Sequence, residues 1–330
     1  MPFDPKQAYV VSDLAGAAPL TYVCYGPKGT YVFGGSEDRT ITRWEIGTDK
    51  KAVFKGHNSW IGALTTTPDG ETLISAGYDD TLIWWPALTA TSEPLRKVKA
   101  HEGWIRALVI SPDGKLLASG GNDRLVKLWN VADGTLVREL KGHEGDIYSL
   151  TFHPNGQALL SGDLLGQIQQ WDVATGKAQR RFEAAPLHIY EGGQAVHYGG
   201  VRALSVSADG RTVAAGGLHK ATNPLGNVQE PLALRFQWED AKLARSHVGE
   251  GLTNHTLWGL RFHPEGALIG CIGGGSAHLL FWGTEADKPA HKLDLPDTAR
   301  AMALHPNGLQ IATAHHDGKV RLVSLTPKPA

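Results

Sequence analysis

Histidine and its neighbouring carboxylates are the first residues of this sequence that could do chemistry, because an imidazole can bind a metal ion near neutral pH. The chain has 15 histidines. His188, His197 and His219 lie in two stretches that also hold Glu191 and Glu230, so these side chains could converge on an ion. Their separations match no short zinc motif such as His-Glu-x-x-His. We therefore expect no metal and no cofactor, and a metal-dependent hydrolase near these stretches is the alternative function.

Arginine and aromatic side chains recur at related positions and could form a recognition surface. Arginine favours carboxylate or phosphate groups by bidentate contact, and Trp, Tyr and Arg dominate the energetic centres of protein interfaces. Alternatively, the tryptophans only pack the entrances of strands and each arginine pairs with a neighbouring carboxylate. We expect the recognition surface. The residues predicted to bind a partner are Trp60, Tyr78, Trp104, Arg106, Tyr148, Arg202, Trp258, Arg300 and His316.

Other catalytic patterns are missing from the sequence. It contains no Gly-x-Ser-x-Gly motif for an activated serine. Neither the phosphate-binding pattern Gly-x-x-x-x-Gly-Lys-Ser/Thr nor the dinucleotide pattern Gly-x-Gly-x-x-Gly occurs. Cys24 and Cys271 fall in apolar segments of different units, which predicts buried free thiols rather than a disulfide. The prediction is a protein that is not an enzyme.

The elements that position these residues follow from a turn of the form x-Pro-x-Gly, or a close variant, that recurs seven times. Successive closing glycines are separated by 41, 44, 42, 54, 56 and 42 residues. A period of about 40 to 45 residues with strand-type patterning indicates a repeated four-stranded blade. The turns are Gly26-Pro27-Lys28-Gly29, Thr67-Pro68-Asp69-Gly70, Ser111-Pro112-Asp113-Gly114, His153-Pro154-Asn155-Gly156, Ser207-Ala208-Asp209-Gly210, His263-Pro264-Glu265-Gly266 and His305-Pro306-Asn307-Gly308.

One unit is clear between Trp104 and Leu140. Its four short segments are rich in apolar and β-branched residues, and Pro, Asp and Gly clusters separate them at hairpin spacing. No segment shows sustained helical periodicity, so we expect almost no helix. The sequence predicts an all-β fold of seven blades around a central channel.

Polar residues at fixed spacing connect this pattern to a known family. One set is His57, Ser75, Asp79 and Trp85, and the next unit repeats it as His101, Ser119, Asp123 and Trp129. In these residues and in its period the chain resembles the WD-repeat (WD40) β-propellers, including bacterial ones. The resemblance implies a hydrogen-bonded tetrad within each blade, and it implies that the nine predicted partner-binding residues ring the mouth of the channel.

Later units keep only part of the tetrad. In the fourth unit Leu165 stands where the aspartate is expected, although His143, Ser161 and Trp171 are present. The seventh unit keeps Thr313 and Asp317 but has no histidine at the expected position.

Two intervals are longer than the others by about twelve residues, and both touch the fifth unit. The additional residues lie at about 187–197 and 218–231. Both loops should emerge on the channel-mouth face, opposite the x-Pro-x-Gly turns. Surface loops tolerate neutral insertions, but insertions in repeat folds often mark the binding face. We expect them to select the partner.

The two ends of the chain are predicted to meet. Residues 7–11 precede the first full unit and have the character of an outer strand, whereas the last unit stops at residues 320–325 without one. The N-terminal strand should therefore complete the last blade and remove a free sheet edge. We predict a single seven-bladed propeller domain over residues 1–330.

Composition limits the partners. A net charge of −1 argues against a nucleic-acid partner, and no apolar run reaches the ~18 residues that span a bilayer. We expect a cytoplasmic protein-interaction scaffold that binds an acidic segment of another protein on the channel-mouth face. A subunit of a stable assembly is a further alternative.

Overall fold

The computed structural model describes residues 3–91, 93–193, 195–221 and 229–328. Within these residues the chain forms seven four-stranded antiparallel sheets and one two-stranded sheet. The helical residues among them belong to two short 3-10 turns, Pro5–Gln7 and Ala185–Leu187. This confirms the all-β prediction.

Each of the first four blades consists of four strands that follow one another along the chain, from the channel to the rim. The first strand, β1 (Tyr9–Ala15), lies outside these four blades. The blade strands are β2 Leu20–Tyr25, β3 Tyr31–Ser36, β4 Thr40–Glu45, β5 Lys51–Lys55, β6 Ile61–Thr66, β7 Thr72–Gly77, β8 Thr81–Pro86, β9 Arg96–Lys99, β10 Ile105–Ile110, β11 Leu116–Gly121, β12 Val126–Asn130, β13 Leu136–Leu140, β14 Ile147–Phe152, β15 Ala158–Asp163, β16 Gln167–Asp172 and β17 Ala178–Glu183.

A two-stranded hairpin separates the fourth blade from the fifth. It consists of β18 (His188–Glu191) and β19 (Val196–Gly199). The remaining strands are β20 Ala203–Val206, β21 Thr212–His219, β22 Glu230–Gln237, β23 Leu243–Val248, β24 His255–Phe262, β25 Leu268–Gly274, β26 Ala277–Trp282, β27 His291–Leu295, β28 Ala299–Leu304, β29 Gln310–His315 and β30 Lys319–Ser324. The predicted loop at 187–197 is therefore a hairpin over most of its length.

The innermost strands of the seven blades form a closed ring. β2, β6, β10, β14, β20, β24 and β28 contact one another in this order, and β28 contacts β2. β1 pairs antiparallel with β30, with Tyr9 opposite Ser324 and Ala15 opposite Lys319. The N-terminal strand thus completes the last blade, as the sequence predicts.

The hydrophobic core lies between neighbouring blades. One apolar cluster joins Phe33 and Ile41 of the first blade to Ile61 and Trp85 of the second, and all four are almost fully buried. Equivalent clusters fill the other gaps. The second strand of each blade is buried on both faces and is a nearly continuous run of apolar and small residues, for example β7 and β11.

The histidines that precede proline in the repeated turns connect blades on the face opposite the channel mouth. The Nε2 atom of His153 lies 3.0 Å from the carbonyl oxygen of Gly210. His263 makes the same contact with Gly308 at 2.9 Å. In each pair the carbonyl belongs to the glycine that closes the next turn of the repeat, so these imidazoles hold neighbouring blades in register.

The second and third blades contain hydrogen-bonded tetrads. The two imidazole nitrogens of His57 lie 2.9 Å from Asp79 and 2.7 Å from Ser75, whose hydroxyl also accepts from Trp85 at 2.8 Å. His101, Ser119, Asp123 and Trp129 repeat the arrangement. Burial alone would raise the pKa of Asp79, but hydrogen bonds, above all from His57, outweigh it and hold that pKa well below its usual range.

The fourth blade has a complete tetrad, and the expectation that Leu165 ends it is wrong. Asp163, two residues earlier, is fully buried and its carboxylate lies 2.7 Å from Nδ1 of His143. Asp163 occupies the position that Gly77 has in the second blade, at the end of the second strand. A carboxylate can therefore reach the same imidazole from the strand itself rather than from the following turn.

The sixth and seventh blades build different networks. In the sixth, the Ser276 hydroxyl lies 2.9 Å from Nε2 of His255 and 2.8 Å from Nε2 of His278, and His278 contacts Asp294 at 2.8 Å. In the seventh blade Thr313 contacts His315 at 2.8 Å, so a histidine from the strand itself replaces the missing one.

Candidate functional site

The mouth of the central channel opens into a cavity of about 350 Å³, here called the mouth cavity. Seven of the nine residues predicted to bind a partner line it. The lining residues are Thr21, Tyr22, Trp60, Gly62, Tyr78, Arg106, Tyr148, Arg202, Trp258 and Arg300. Trp104 does not line it but stacks on Tyr78, whereas His316 is exposed and also lies outside the lining.

A β-bulge at the start of the inner strand turns these side chains toward the channel. The pairing register shifts at Arg106 in β10, at Tyr148 in β14 and at Trp258 in β24. The same shift occurs at Arg300 in β28. Bulges re-aim side chains and are frequent beside functional sites. One backbone device, repeated around the ring, therefore explains why residues so distant in sequence share a surface.

The aromatic residues of the mouth form a stack. The ring of Tyr78 lies 4.7 Å from that of Trp104, nearly parallel at 6°, and 6.2 Å from that of Trp60. Trp60, Trp104 and Trp258 are 44%, 46% and 36% exposed, respectively. Large exposed aromatic side chains on one face are characteristic of an interaction surface.

Two arginines continue this stack around the mouth. The guanidinium of Arg106 lies 5.0 Å from the ring centroids of both Trp104 and Tyr148. Arg202 lies 4.0 Å from the ring of Tyr148 and 5.4 Å from that of Trp258. Stacking on aromatic faces holds both cations in defined positions. Aromatic and cationic side chains thus alternate from the third blade to the sixth.

The three arginines of the mouth have different charge environments. Arg300 forms an ion pair with Glu37, as the alternative interpretation requires. Arg106 donates to the Asn122 side chain at 2.8 Å, and Arg202 donates to the carbonyl of Gly199 at 2.8 Å. Among the described residues, no carboxylate lies within 4 Å of the Arg106 or Arg202 guanidinium. Burial lowers the pKa of Arg202, and the charge of Arg106 adds to this effect.

The hairpin of the first insertion holds Arg202 in place. Gly199, the last residue of β19, accepts the Nε proton of Arg202, and the hairpin contacts β21 of the fifth blade. At its tip Tyr190 is 56% exposed. Half of the second insertion, residues 222–228, lies outside the described residues. The described ends of this insertion include His219, 3.4 Å from the carboxylate of Glu230.

Substitution of Gly199 by alanine should destabilise the fold and displace Arg202. Gly199 has a φ of +89°, and a Cβ atom there would lie 2.1 Å from the carbonyl oxygen of Leu187. We expect the free energy of unfolding to fall by about 2 kcal/mol, as for other strained backbone positions. Thermal unfolding of Gly199→Ala measures this. The control is Gly192→Ala, where the nearest atom is 3.9 Å from the added carbon, and equal stability of both variants would contradict the expectation.

The histidines of the inserted segments do not gather into a metal centre. His188 and His197 face each other at 2.8 Å, while His219 pairs with Glu230 instead. No group of three or more His, Cys, Asp or Glu side chains with metal-binding geometry occurs in the parts of the chain that the structure describes. Both cysteines are free; Cys271 is buried, which raises its pKa to about 12, but Cys24 is only partly buried.

Two residues of the channel were missed by the sequence reasoning. Tyr22 and Arg261 project from inner strands into the channel beneath the mouth. The signal for Arg261 was a charged residue within the otherwise apolar run of β24. The signal for Tyr22 was weaker, because an aromatic residue in an inner strand is also compatible with the core.

The closed ring of seven four-stranded blades with an open channel mouth defines the class of protein, which is a seven-bladed β-propeller. The WD domain, G-beta repeat (WD40) family model matches residues 48–86, 92–130, 134–172 and 288–324. These segments leave out most of the first blade, the fifth blade and most of the sixth. The chain thus contains WD40 repeats within a seven-bladed β-propeller.

Two curated proteins are similar to parts of the chain. The small ribosomal subunit protein RACK1y of Oryza sativa subsp. japonica is 32% identical over 60 residues, which is 18% of this chain and 18% of that protein. Protein hir1 of Schizosaccharomyces pombe is 27% identical over 148 residues, which is 39% of this chain and 16% of that protein. The chain thus spans less than a fifth of the length of either relative.

The described part of the chain contains no helix with the length and apolar character needed to cross a membrane.

Proposed function

We propose that this propeller is a non-enzymatic protein-interaction scaffold and that its channel mouth binds an acidic segment of a partner protein. The observation that carries the proposal is the pair Arg106 and Arg202. Both guanidiniums lie between aromatic rings beside an open cavity, and neither has a carboxylate within 4 Å among the described residues. An external carboxylate would supply the missing charge and could bind both arginines through charge-assisted hydrogen bonds.

The aromatic residues supply the rest of such an interface. Trp60, Trp104 and Trp258 are more than a third exposed and surround the cation positions. Buried tryptophan and arginine contacts each contribute about 2 kcal/mol or more at the centres of protein interfaces. A segment with acidic and apolar residues would therefore match the mouth better than a purely acidic one.

Loss of both unpaired arginines is expected to abolish partner binding. In affinity capture from a lysate of the source cells, Arg106→Ala/Arg202→Ala should retain less than a tenth of the partner held by the wild type. Two hot-spot truncations of about 2 kcal/mol each predict at least this loss. Capture should also weaken as salt is raised, because screening acts on exposed charges.

The control variant, Arg96→Ala/Arg245→Ala, also removes two positive charges but takes them from outer strands. Arg245 pairs with Asp287 at 2.8 Å, and Arg96 lies on β9 away from the mouth. This control should capture the partner as well as the wild type does. Equal capture by all three proteins, each shown to be folded by circular dichroism, would refute the proposed site.

A cytoplasmic location and membership of a larger assembly belong to the same proposal. The rice relative is named as a small ribosomal subunit protein, and the ribosome is a large assembly inside the cell. The near-neutral net charge of −1 gives no general attraction to nucleic acid. A protein partner is therefore the class of ligand that the mouth favours.

A further inference from the structure

A second, smaller cavity lies directly beneath the mouth cavity, inside the channel. This inner chamber has a volume of about 70 Å³ and shares Tyr22, Arg106, Tyr148 and Arg202 with the mouth cavity above it. Arg261 lines the inner chamber but not the mouth cavity. The chamber is thus reached from the mouth and lies deeper in the channel.

Three arginines line this chamber, and no acidic side chain lines it with them. Arg106, Arg202 and Arg261 are among its lining residues, and the described lining contains no aspartate or glutamate. None of the three guanidiniums has a carboxylate within 4 Å among the described residues. Guanidinium groups that are partly withdrawn from water are normally paired with an acid or bind a ligand of opposite charge.

The lining also contains three hydroxyl groups. That of Ser149 donates to the carbonyl oxygen of Val201, which leaves the phenols of Tyr22 and Tyr148 as further donors. The hydroxyls of Tyr22 and Tyr148 lie near arginines: Arg261 acts on the pKa of Tyr22, and Tyr148 acts on that of Arg202. Burial raises the pKa of Tyr22 although Arg261 opposes this effect, so the phenol stays protonated and can donate. Phenol and guanidinium donors around one small space suit an anion with several acceptor oxygens.

We infer that the inner chamber binds one small oxyanion of the phosphate type. The chamber is small, at about 70 Å³, and a single tetrahedral oxyanion presents several acceptor oxygens to the surrounding donors within such a space. A phosphate carries about two negative charges and three acceptor oxygens, so it neutralises three neighbouring cations better than the single charge of a carboxylate does. The anion is either free phosphate or the phosphoryl group of a larger molecule that enters from the mouth.

This inference does not depend on the proposed partner, because it concerns the isolated chain. Inorganic phosphate is titrated into the full-length protein by calorimetry, in buffer whose ionic strength is kept constant with chloride. We expect one site, and we expect acetate to bind at least tenfold more weakly. Absence of a phosphate signal, or equal binding of acetate, would overturn the inference.

Variants show whether the chamber is the binding site. Arg261→Gln should weaken phosphate binding at least tenfold, whereas Arg245→Gln on the outer strand β23 should leave it unchanged. If Arg261→Gln does not fold, Arg261→Met serves the same purpose. Equal phosphate binding by a folded chamber variant and the wild type would place the anion elsewhere and refute the inference.

Phenyl phosphate distinguishes the two sources of the anion. Binding of phosphate together with exclusion of phenyl phosphate would support a free ion, whereas binding of both would support a phosphoryl group presented through the mouth. Partner capture by Arg261→Gln separates this inference from the proposed function. If Arg261→Gln loses phosphate binding but still captures the partner, both the inference and the proposed function are supported. If capture depends on Arg106 and Arg202 but the wild type binds no phosphate, only the proposed function remains.

Discussion

Deletion of residues 1–15 is expected to abolish cooperative folding of the propeller. The deletion removes β1, which pairs with β30 over its whole length and closes the ring. Val10 and Leu14 pack against the apolar clusters of the last blade, and Asp13 forms an ion pair with Lys319 at 3.0 Å. Arg321, which is almost fully buried, would lose its contact with Asp13.

The expected loss is at least about 5 kcal/mol in the free energy of unfolding. The backbone hydrogen bonds of the strand pair contribute about 1 kcal/mol each, and the lost apolar burial adds to them. A total of this size is comparable to the stability of many whole domains. The deletion would also leave β30 as an unpaired edge, which favours aggregation. Thermal unfolding by circular dichroism and size-exclusion chromatography measure both effects.

A rearranged chain supplies the decisive control. Because Tyr9 lies opposite Ser324, residues 3–15 appended to the C-terminus through a Gly-Ser linker can form the same antiparallel pair. This chain should recover cooperative unfolding, whereas a scrambled segment of equal composition should not. A deletion variant that unfolds like the wild type would show that ring closure is unimportant.

The seven blades could be predicted because each is specified by residues close together in the sequence, and the same pattern recurs in every unit. Each x-Pro-x-Gly turn places its glycine in a left-handed conformation, for example Gly70 with a φ of +78°, and the flanking apolar segments fix the strands. Closure by the N-terminal strand also followed from counting strands in the last unit. The same counting placed Arg106, Tyr148, Trp258 and Arg300 at one position of the repeat.

Contacts between different parts of the chain could not be predicted in this way. The hydrogen bond from Arg202 to Gly199 depends on the path of an inserted hairpin, for which no other blade offers a template. The ion pair between Arg300 and Glu37 joins the last blade to the first. Position in the repeat therefore indicated which side chains face the mouth, but not which of the arginines lacks an acidic partner.

The tetrad of the fourth blade shows how a motif can be retained when its spacing is lost. Asp163 accepts from His143 at 2.7 Å and also from the backbone amides of Leu165 and Gln167, both at 2.9 Å. A template that requires the aspartate two residues later overlooks this carboxylate. In the second blade a Cβ atom on Gly77 would lie 2.2 Å from Asp79, so only one of the two positions can hold the acid.

Because only one of the two positions can hold the acid, we predict that the carboxylate of the fourth blade can be moved from position 163 to position 165. Asp163→Gly should lower the free energy of unfolding by about 3 kcal/mol, because it leaves His143 and two backbone amides without their buried acceptor. The double variant Asp163→Gly/Leu165→Asp restores the Gly-x-Asp arrangement of the second blade, and should recover at least half of that loss. The turns have equivalent backbones, since Gly166 has a φ of +76° and its counterpart Asp80 a φ of +66°.

Chemical denaturation of the wild type, the single variant and the double variant measures the recovery. Leu165→Asp alone is the matched control, and it should be destabilising because two carboxylates would then crowd one imidazole. Leu165→Asp is therefore expected to raise the free energy of unfolding of Asp163→Gly and to lower that of the wild type. A double variant no more stable than Asp163→Gly would mean that the fourth blade tolerates the acid only on its strand.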